Sequence, residues 1–256
     1  MDTTVAHPAR RYNYWLGGKD NFAADRESAD AIEAHYPAAR TAALINRAWM
    51  YRVVRRLAEA GIDQFLDIGV GLPVSPNVHE VAQREIPGAR VLYVDNDPMV
   101  MVHARALLTS ARQGVTDYAE TDLRDPAKIL GEARKLLDFS QPIGVLLLAV
   151  LHFVPDSEQP DQAVATLMDA MPSGSYLAIT HGTGDFMTAE QIAAITALPC
   201  DKHGPLVSRT REQIARFFAG LDLVEPGLVP TAGLFDADES VTAADCAAYA
   251  GLAAKP

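Results

Sequence analysis

QFLDIGVGLPVS, residues Gln64 to Ser75, is the stretch whose reading decides the architecture. Gln64 to Ile68 reads as a short apolar strand, and two glycines, Gly69 and Gly71, follow at once. With no Cβ, both positions let the chain turn tightly and let a ligand approach the backbone. A helix is expected from about Pro76 to Glu85. Ser75 is its expected N-cap, and Pro76 takes the first helical position, where a missing N–H costs nothing. Strand, glycine loop and helix together form the opening unit of a parallel α/β sheet.

The alternation continues downstream. Arg90 to Val94 reads as a second strand and Pro98 to Ser110 as a second helix. A strand around Val115 to Ala119 leads through Asp122-Leu123-Arg124-Asp125 into a helix near Pro126 to Leu137. Ile143 to Val150 carries no polar alternation, as expected of a central parallel strand covered on both faces. A helix from Gln162 to Met171 and a fifth strand from Ser175 to Thr180 follow. The last part breaks the rhythm. A capping box at Thr210 to Gln213 opens a helix to Phe218, and Leu221 to Val229 and Ala247 to Ala253 read as two strands with no helix between. Residues 230 to 243 read as a loop. Upstream, Ala23 to His35 and Thr41 to Ala60 read as helices, the second ended by Gly61. The expected fold is a doubly wound, mostly parallel seven-stranded sheet. It has an antiparallel C-terminal strand and a helical N-terminal extension. Residues 1–60 would be an arm or lid, and residues 61–256 the ligand-binding domain.

In such sheets the ligand lies beyond the carboxyl ends of the strands, where the winding reverses. The pyrophosphate fingerprint needs a further glycine where Val74 stands, which argues against a dinucleotide. Asp95 ends the second strand, 28 residues beyond Asp67, where a carboxylate accepts from ribose hydroxyls. Asp122 ends the third strand, suited to an adenine amino group, with the Leu123 N–H facing a ring nitrogen. Asp67 favours a nucleoside ligand that carries positive charge and would repel a pyrophosphate.

The order Asp67-x-Gly69-x-Gly71, then Asp95, then Asp122, closed by a terminal hairpin, resembles the class I S-adenosylmethionine-dependent methyltransferases. The stretches PARRYNYWLGGKDNFAADRE, FLDIGVGLPVSPNVHEVAQ, VLYVDNDPMVMVHARALL, VLLLAVLHFVP and LVEPGLV resemble a bacterial methyltransferase-like family whose members mostly lack an assigned substrate. The resemblance implies S-adenosylmethionine as cofactor and S-adenosylhomocysteine as product. It implies a cofactor site at Asp67, Gly69, Gly71, Asp95, Asn96, Asp122, Leu123 and Ala149, with Tyr14, Gly18 and Lys19 contributed by a lid. Pro73 stands where many methyltransferases have a third glycine.

Methyl transfer from a sulfonium is an in-line displacement, so alignment and exclusion of water matter more than a fixed set of catalytic residues. His152 and His181 follow the fourth and fifth strands and are the catalytic candidates, as a base or a positioning donor, against a purely structural role. Tyr12, Tyr14 and Trp15 either stack against the cofactor or pack the arm on the sheet. Lys19 and Asp20 either touch the cofactor or form a solvated turn.

Other motifs lead nowhere. His79-Glu80 lacks a second ligand, because position 83 is Gln, so no metal is expected. Ser173-Gly174-Ser175 lacks the frame of a nucleophile elbow. Arg52, Arg55 and Arg56 read as a solvated face.

With 22 basic against 33 acidic residues and a net charge of −11, a nucleic acid or an anionic membrane is not the expected partner. A small-molecule methyl acceptor is. Cys200 and Cys246 read as thiols in a reducing cytoplasm. There is no signal-peptide core, and the longest apolar run, Ile143 to Leu151, is too short to span a bilayer. The competing readings are a non-catalytic sensor of the cofactor or its product and a nicotinamide-linked oxidoreductase. Val74 and the terminal hairpin count against the latter.

Overall fold

A computed structural model describes residues 2–107, 110–198, 206–233 and 241–256. In chain order the elements are α1 (Pro8–Trp15), α2 (Ala23–His35), α3 (Ala39–Glu59), β1 (Gln64–Ile68), α4 (Val78–Glu85), β2 (Arg90–Asp95), α5 (Pro98–Leu107), β3 (Val115–Glu120) and α6 (Pro126–Ala133). There follow β4 (Gly144–Leu148), α7 (Pro160–Ala170), β5 (Tyr176–Gly182), α8 (Ala189–Thr196), α9 (Arg211–Ala215), β6 (Asp222–Leu223), β7 (Val229–Pro230), α10 (Ala243–Cys246) and β8 (Ala248–Ala254). The sheet runs β3-β2-β1-β4-β5-β8-β6, with β7 also paired to β8. The first five strands are parallel, and β8 pairs antiparallel with β5, β6 and β7. The winding reverses between β1 and β4, so their carboxyl ends open the crevice that the sheet offers to a ligand.

Strand alternation builds two cores. Leu66, Ile68, Leu92 and Val94 face one side and meet Ile129, Leu130 and Leu167. Phe65, Val91, Tyr93 and Leu146 face the other and meet Trp49, Val53, Val54 and Leu57 of α3 and Val78 and Ala82 of α4. The one polar side chain at the start of β1, Gln64, is buried without an open valence. Its amide donates to Asp138 O at 3.1 Å and accepts from Asp138 N–H at 2.6 Å. A buried amide satisfied at both ends also sets where the strand begins.

Local chemistry moves several expected boundaries. The first helix after the glycine loop starts at Val78, with Asn77 as N-cap, two residues later than expected. The Glu80 carboxylate decides this, accepting from Asn77 N–H at 2.6 Å and from the Ser75 hydroxyl at 2.9 Å. The arm contains an unforeseen helix, α1, whose N-cap His7 accepts from Ala9 N–H at 3.2 Å with Pro8 at the first helical position. A further unforeseen helix, α8, is opened by Thr188 and Gln191 as a capping box. The edge strand expected over 221–229 is divided into β6 and β7, because Gly227 (φ +86°) turns the chain between them. The segment to the last strand, expected to lack a helix, carries a 3₁₀ turn, Thr231–Gly233, and α10, where Asp245 accepts from Thr242 N–H at 2.8 Å. Residues 234–240 of the expected loop, residues 108 and 109 of the expected second helix, and Cys200 lie outside the described residues. Among the described residues no helix is long and apolar enough to cross a membrane.

Candidate functional site

A cavity of about 360 Å³ opens over the carboxyl ends of β1, β2, β4 and β5 and is walled by α1, α2, α3 and α8. At its floor the glycine loop has the shape its residues demand. Gly69 (φ +80°) sits so close to Val150 that a Cβ would lie 2.5 Å from Val150 Cγ2, so neither conformation nor space admits a side chain. Gly71 (φ +64°) donates its N–H to Asp95 Oδ2 at 2.9 Å, while Asp95 Oδ1 accepts from Asp97 N–H at 2.9 Å. Asp95 thus ties the loop to the end of β2 and keeps spare lone pairs for a ligand.

Both floor carboxyls are perturbed upward. Burial pushes Asp67 up to about 7, the nearby Asp95 adding to the rise and the Arg47 guanidinium opposing it. Burial likewise pushes Asp95 up to about 6, against hydrogen bonds from Asp97 and Gly71 N–H. Two buried carboxyls lining one cavity are thus disfavoured in their charged form, and a cationic group beside them would stabilise it.

At the β3 side, Asp122 accepts from Asn96 Nδ2 at 2.7 Å and from Arg124 N–H at 2.9 Å. Burial raises this carboxyl, but the hydrogen bonds from Arg124 N–H and Asn96, with the Arg124 guanidinium, outweigh it and hold it below the ordinary carboxylate range. Leu123 is buried against the same wall. Ala149, just past β4, is held in the left-handed region (φ +55°) by its N–H, which donates to Thr180 O at 3.1 Å and to Thr180 Oγ1 at 2.8 Å. A non-glycine residue at positive φ is uncommon and marks a position where the surroundings over-determine the backbone.

The structure therefore brings Asp67, Gly69, Gly71, Asp95, Asn96, Asp122, Leu123, Ala149, His152 and His181 together around one cavity. Tyr14, Gly18 and Lys19 do not line it. On α1 the cavity face is the stripe Pro8, Arg11, Tyr12 and Trp15 at helical spacing, and Tyr14 falls off that stripe. Its hydroxyl instead donates to Asp30 at 3.1 Å, and Arg40 stacks 5.1 Å from its ring centroid. Gly18 packs under Asn13, and Lys19 is exposed. Tyr12 is committed at its hydroxyl, which donates to Ala43 O at 3.1 Å and accepts from Asn46 at 2.8 Å.

The two histidines are less free than their positions suggest. His181 Nδ1 lies 2.7 Å from Gly182 O and must donate to it, so Nε2 accepts from the Arg209 guanidinium at 2.9 Å. Both nitrogens are used, and burial lowers this imidazole to about 4. His152 Nδ1 accepts from Gly182 N–H at 3.2 Å, which puts its proton on Nε2. Burial first, then His181, Arg209 and Arg11, keep it neutral far below the ordinary histidine range. Neither ring has a lone pair open to the cavity, so neither is a general base in this arrangement.

Beside Trp15, which the sequence singled out, several site residues carry no local sequence signal. Trp15 Nε1, Asn46 Oδ1, Arg47 Nε and Thr121 Oγ1 are buried polar atoms with no hydrogen-bond partner among the described residues, and all four residues line the cavity. Buried polar atoms are nearly always paired, so a cluster of orphans facing one space points to a polar ligand. Arg47 also holds the loop after Gly71, donating to Val74 O, to Pro76 O at 2.7 Å and to Asn77 Oδ1 at 3.2 Å. The only hint was its phase on α3, where Ala39, Ala43, Asn46, Arg47 and Met50 form one stripe along the cavity. Arg209 reaches His181 from 28 residues away. Among the described residues no group of three or more potential metal ligands occurs.

A family model described as S-adenosyl methyltransferase matches residues 1–256. A DUF574 family protein from Streptomyces avermitilis is 42% identical, with 100% of this chain and 99% of that chain covered and a TM-score of 0.92. A candidate methyltransferase from Thermobifida fusca is 40% identical over 99% of this chain and 96% of its own, with a TM-score of 0.87. The N-methyltransferase NodS from Bradyrhizobium japonicum, solved with S-adenosylhomocysteine, shares the fold at 14% identity, with 82% and 88% covered and a TM-score of 0.51. No curated protein matches.

Proposed function

The chain belongs to the S-adenosyl methyltransferase family, and from that premise we propose that it methylates a small-molecule acceptor enclosed between the sheet and its N-terminal arm. The observation that carries this reading is the continuity of the cavity. One end is a glycine loop flanked by carboxyls, and the other is an apolar chamber of Trp15, Ile32, Tyr36, Met187 and Ile195. The net charge of −11 favours a small acceptor over a polyanion.

The residues present fit S-adenosylmethionine. Asp95 is assigned to the ribose hydroxyls through its spare lone pairs, and Asp122 with Asn96 and Leu123 to the adenine. Gly69, Gly71 and Ala149 provide backbone approach. Asp67 and the orphan Asn46 Oδ1 suit the ammonium of the amino-acid end, and Arg47 suits its carboxylate. The sulfonium supplies an activated methyl carbon. The protein's task is to align the acceptor and keep water out. Of the arm, residues 1–60, only α1 and α2 are assigned the role of lid, because α3 packs into the core of the sheet. α1 forms one wall, held by Asp25, which accepts from His7 N–H at 2.9 Å and from the Arg10 guanidinium at 2.9 Å.

Titration calorimetry with S-adenosylhomocysteine tests the cofactor site. Asp95→Ala is expected to weaken binding at least tenfold, since each hydrogen bond to a charged group is worth about 1.5–3 kcal/mol. Unchanged affinity in this variant would refute the assignment. Transfer of a labelled methyl group into a cell-extract metabolite separates an enzyme from a sensor.

A further inference from the structure

On the footing of that reading, we infer that the methyl acceptor is an acidic hydroxyl, a phenol or enol bound in its ionised form, whose oxygen accepts a hydrogen bond from His152 Nε2–H. The Gly182 N–H fixes that tautomer, and Arg209 is the positioning residue that holds the turn carrying His152, with His181 packed against its ring.

Two sets of donors fix the histidines, Arg209 orienting His181 and the Gly182 N–H orienting His152. Arg209 is buried and always charged, so it can only donate. Its Nη1 donates to His181 Nε2 at 2.9 Å, which forces the His181 proton onto Nδ1, where it is given to Gly182 O at 2.7 Å. Independently, the Gly182 backbone N–H, which can only donate, gives to His152 Nδ1 at 3.2 Å. The two rings meet edge to face, with centroids 5.5 Å apart. The bond from Gly182 N–H leaves His152 one role toward the cavity, that of donor at Nε2. The turn that carries His152 is tied to the same guanidinium, which donates to Leu151 O at 3.0 Å and Val154 O at 2.7 Å.

A fixed donor beside the reacting centre selects the nucleophile. An amine nitrogen has a single lone pair, and a hydrogen bond to it consumes the pair that must attack. An oxyanion has lone pairs to spare. It can accept from Nε2–H and still present one to the methyl carbon. Bond making and breaking then balance without a protein base. The hydroxyl loses its proton to solvent before it is enclosed. Its oxygen bonds the methyl carbon as the carbon–sulfur bond breaks, and the electron pair stays on sulfur. The nearest other titratable groups in the apolar chamber suit no base role. Burial raises both the Tyr36 hydroxyl, which donates to Ala244 O at 3.0 Å, and the Cys246 thiol. The orphan Trp15 Nε1–H offers a second donor to an oxygen elsewhere on the acceptor.

The probe is para-nitrophenol, titrated by its phenolate absorbance on protein saturated with S-adenosylhomocysteine, with para-nitroaniline as neutral amine competitor. The bound phenol should ionise about one pH unit lower than free, a roughly tenfold preference for the phenolate, and para-nitroaniline should not displace it. His152→Asn keeps an acceptor for Gly182 N–H but loses the donor at Nε2, and should abolish the shift. His152→Gln places an amide N–H near Nε2 and should retain most of it. Ring-nitrogen NMR shifts should show His152 protonated at Nε2 only, and Arg209→Gln, which frees the turn at Leu151 and Val154, should keep that tautomer but reduce the phenol's shift. Failure of the phenol to bind, binding without a shift, an equal loss in both His152 variants, or a proton on Nδ1 would overturn the inference. Failure of S-adenosylhomocysteine to bind would instead overturn the functional reading beneath it.

Discussion

Asp67 is a carboxyl that the folded chain makes uncomfortable. Burial and the neighbouring Asp95 raise it to about 7, from an ordinary value near 3.8. The folded state therefore holds a proton that the unfolded chain has released, and between roughly pH 4 and 7 the ligand-free protein loses stability as pH rises. A cationic ligand reverses the preference, because it favours the ionised carboxyl. Binding of S-adenosylhomocysteine, through its ammonium, should tighten as pH rises from about 6 to 7 and should release protons. Calorimetry in buffers of different ionisation enthalpy measures both. Asp67→Asn should flatten that dependence, weaken binding, and raise the melting temperature of the ligand-free protein at pH 8. A pH-independent affinity in the wild type would contradict the electrostatics of the site. The sequence marks Asp67, Gly69, Gly71, Asp95 and Asp122 because each lies at a strand end, where position alone decides what a side chain can reach. The histidine tautomers were not legible, because Arg209, which decides that of His181, is far away in the chain and belongs to no motif, and that of His152 rests on a backbone N–H 30 residues away.

Among elements, the loop between β1 and α4 and the helix α1 contrast in how their site residues arise. The loop's demands are local. Gly69 needs both a positive φ and the absence of a Cβ against Val150. Gly69→Ala should therefore cost several kcal/mol or displace the loop, with loss of S-adenosylhomocysteine binding. Gly17 makes a control, since it also has positive φ (+77°) but a Cβ there would meet nothing within 4 Å. Gly17→Ala should cost only about 1–2 kcal/mol, the left-handed conformation alone, and should leave cofactor affinity intact. Thermal melts and calorimetry on the pair check both statements, and equal effects would refute the steric argument. In α1, by contrast, the cavity residues are set by helical phase, and phase depends on where His7 starts the helix. Without that cap the aromatic cluster Tyr12, Tyr14 and Trp15 cannot be sorted into Trp15 facing the chamber and Tyr14 facing Asp30. The split edge strand was hidden for a similar reason, since Gly227 and Pro226 outweigh the apolar residues around them.

At the scale of the whole molecule, α1 and α2 are tied to each other around Asp25. This carboxylate is fully buried. It accepts from His7 N–H, from Phe22 N–H at 2.8 Å and from the Arg10 guanidinium, and His7 Nε2 in turn lies 3.2 Å from Asp97 beyond β2. Removing one partner of a buried ion pair leaves the other charge uncompensated, which costs about 3–5 kcal/mol. That energy is concentrated where α1 meets α2, while the sheet cores rest on separate apolar clusters. Asp25→Ala should therefore loosen α1 and α2 before it unfolds the sheet and the α3 helix packed on it. Proteolysis would cut near residues 1–22 at a denaturant concentration that leaves the sheet's circular dichroism unchanged. Because α1 walls the cavity, the same variant should bind S-adenosylhomocysteine more weakly, and added ligand should restore part of the protection by mass action. A variant whose α1–α2 segment and sheet melt together, with cofactor affinity preserved, would mean that this segment is part of the core, as α3 is, and does not act as a lid.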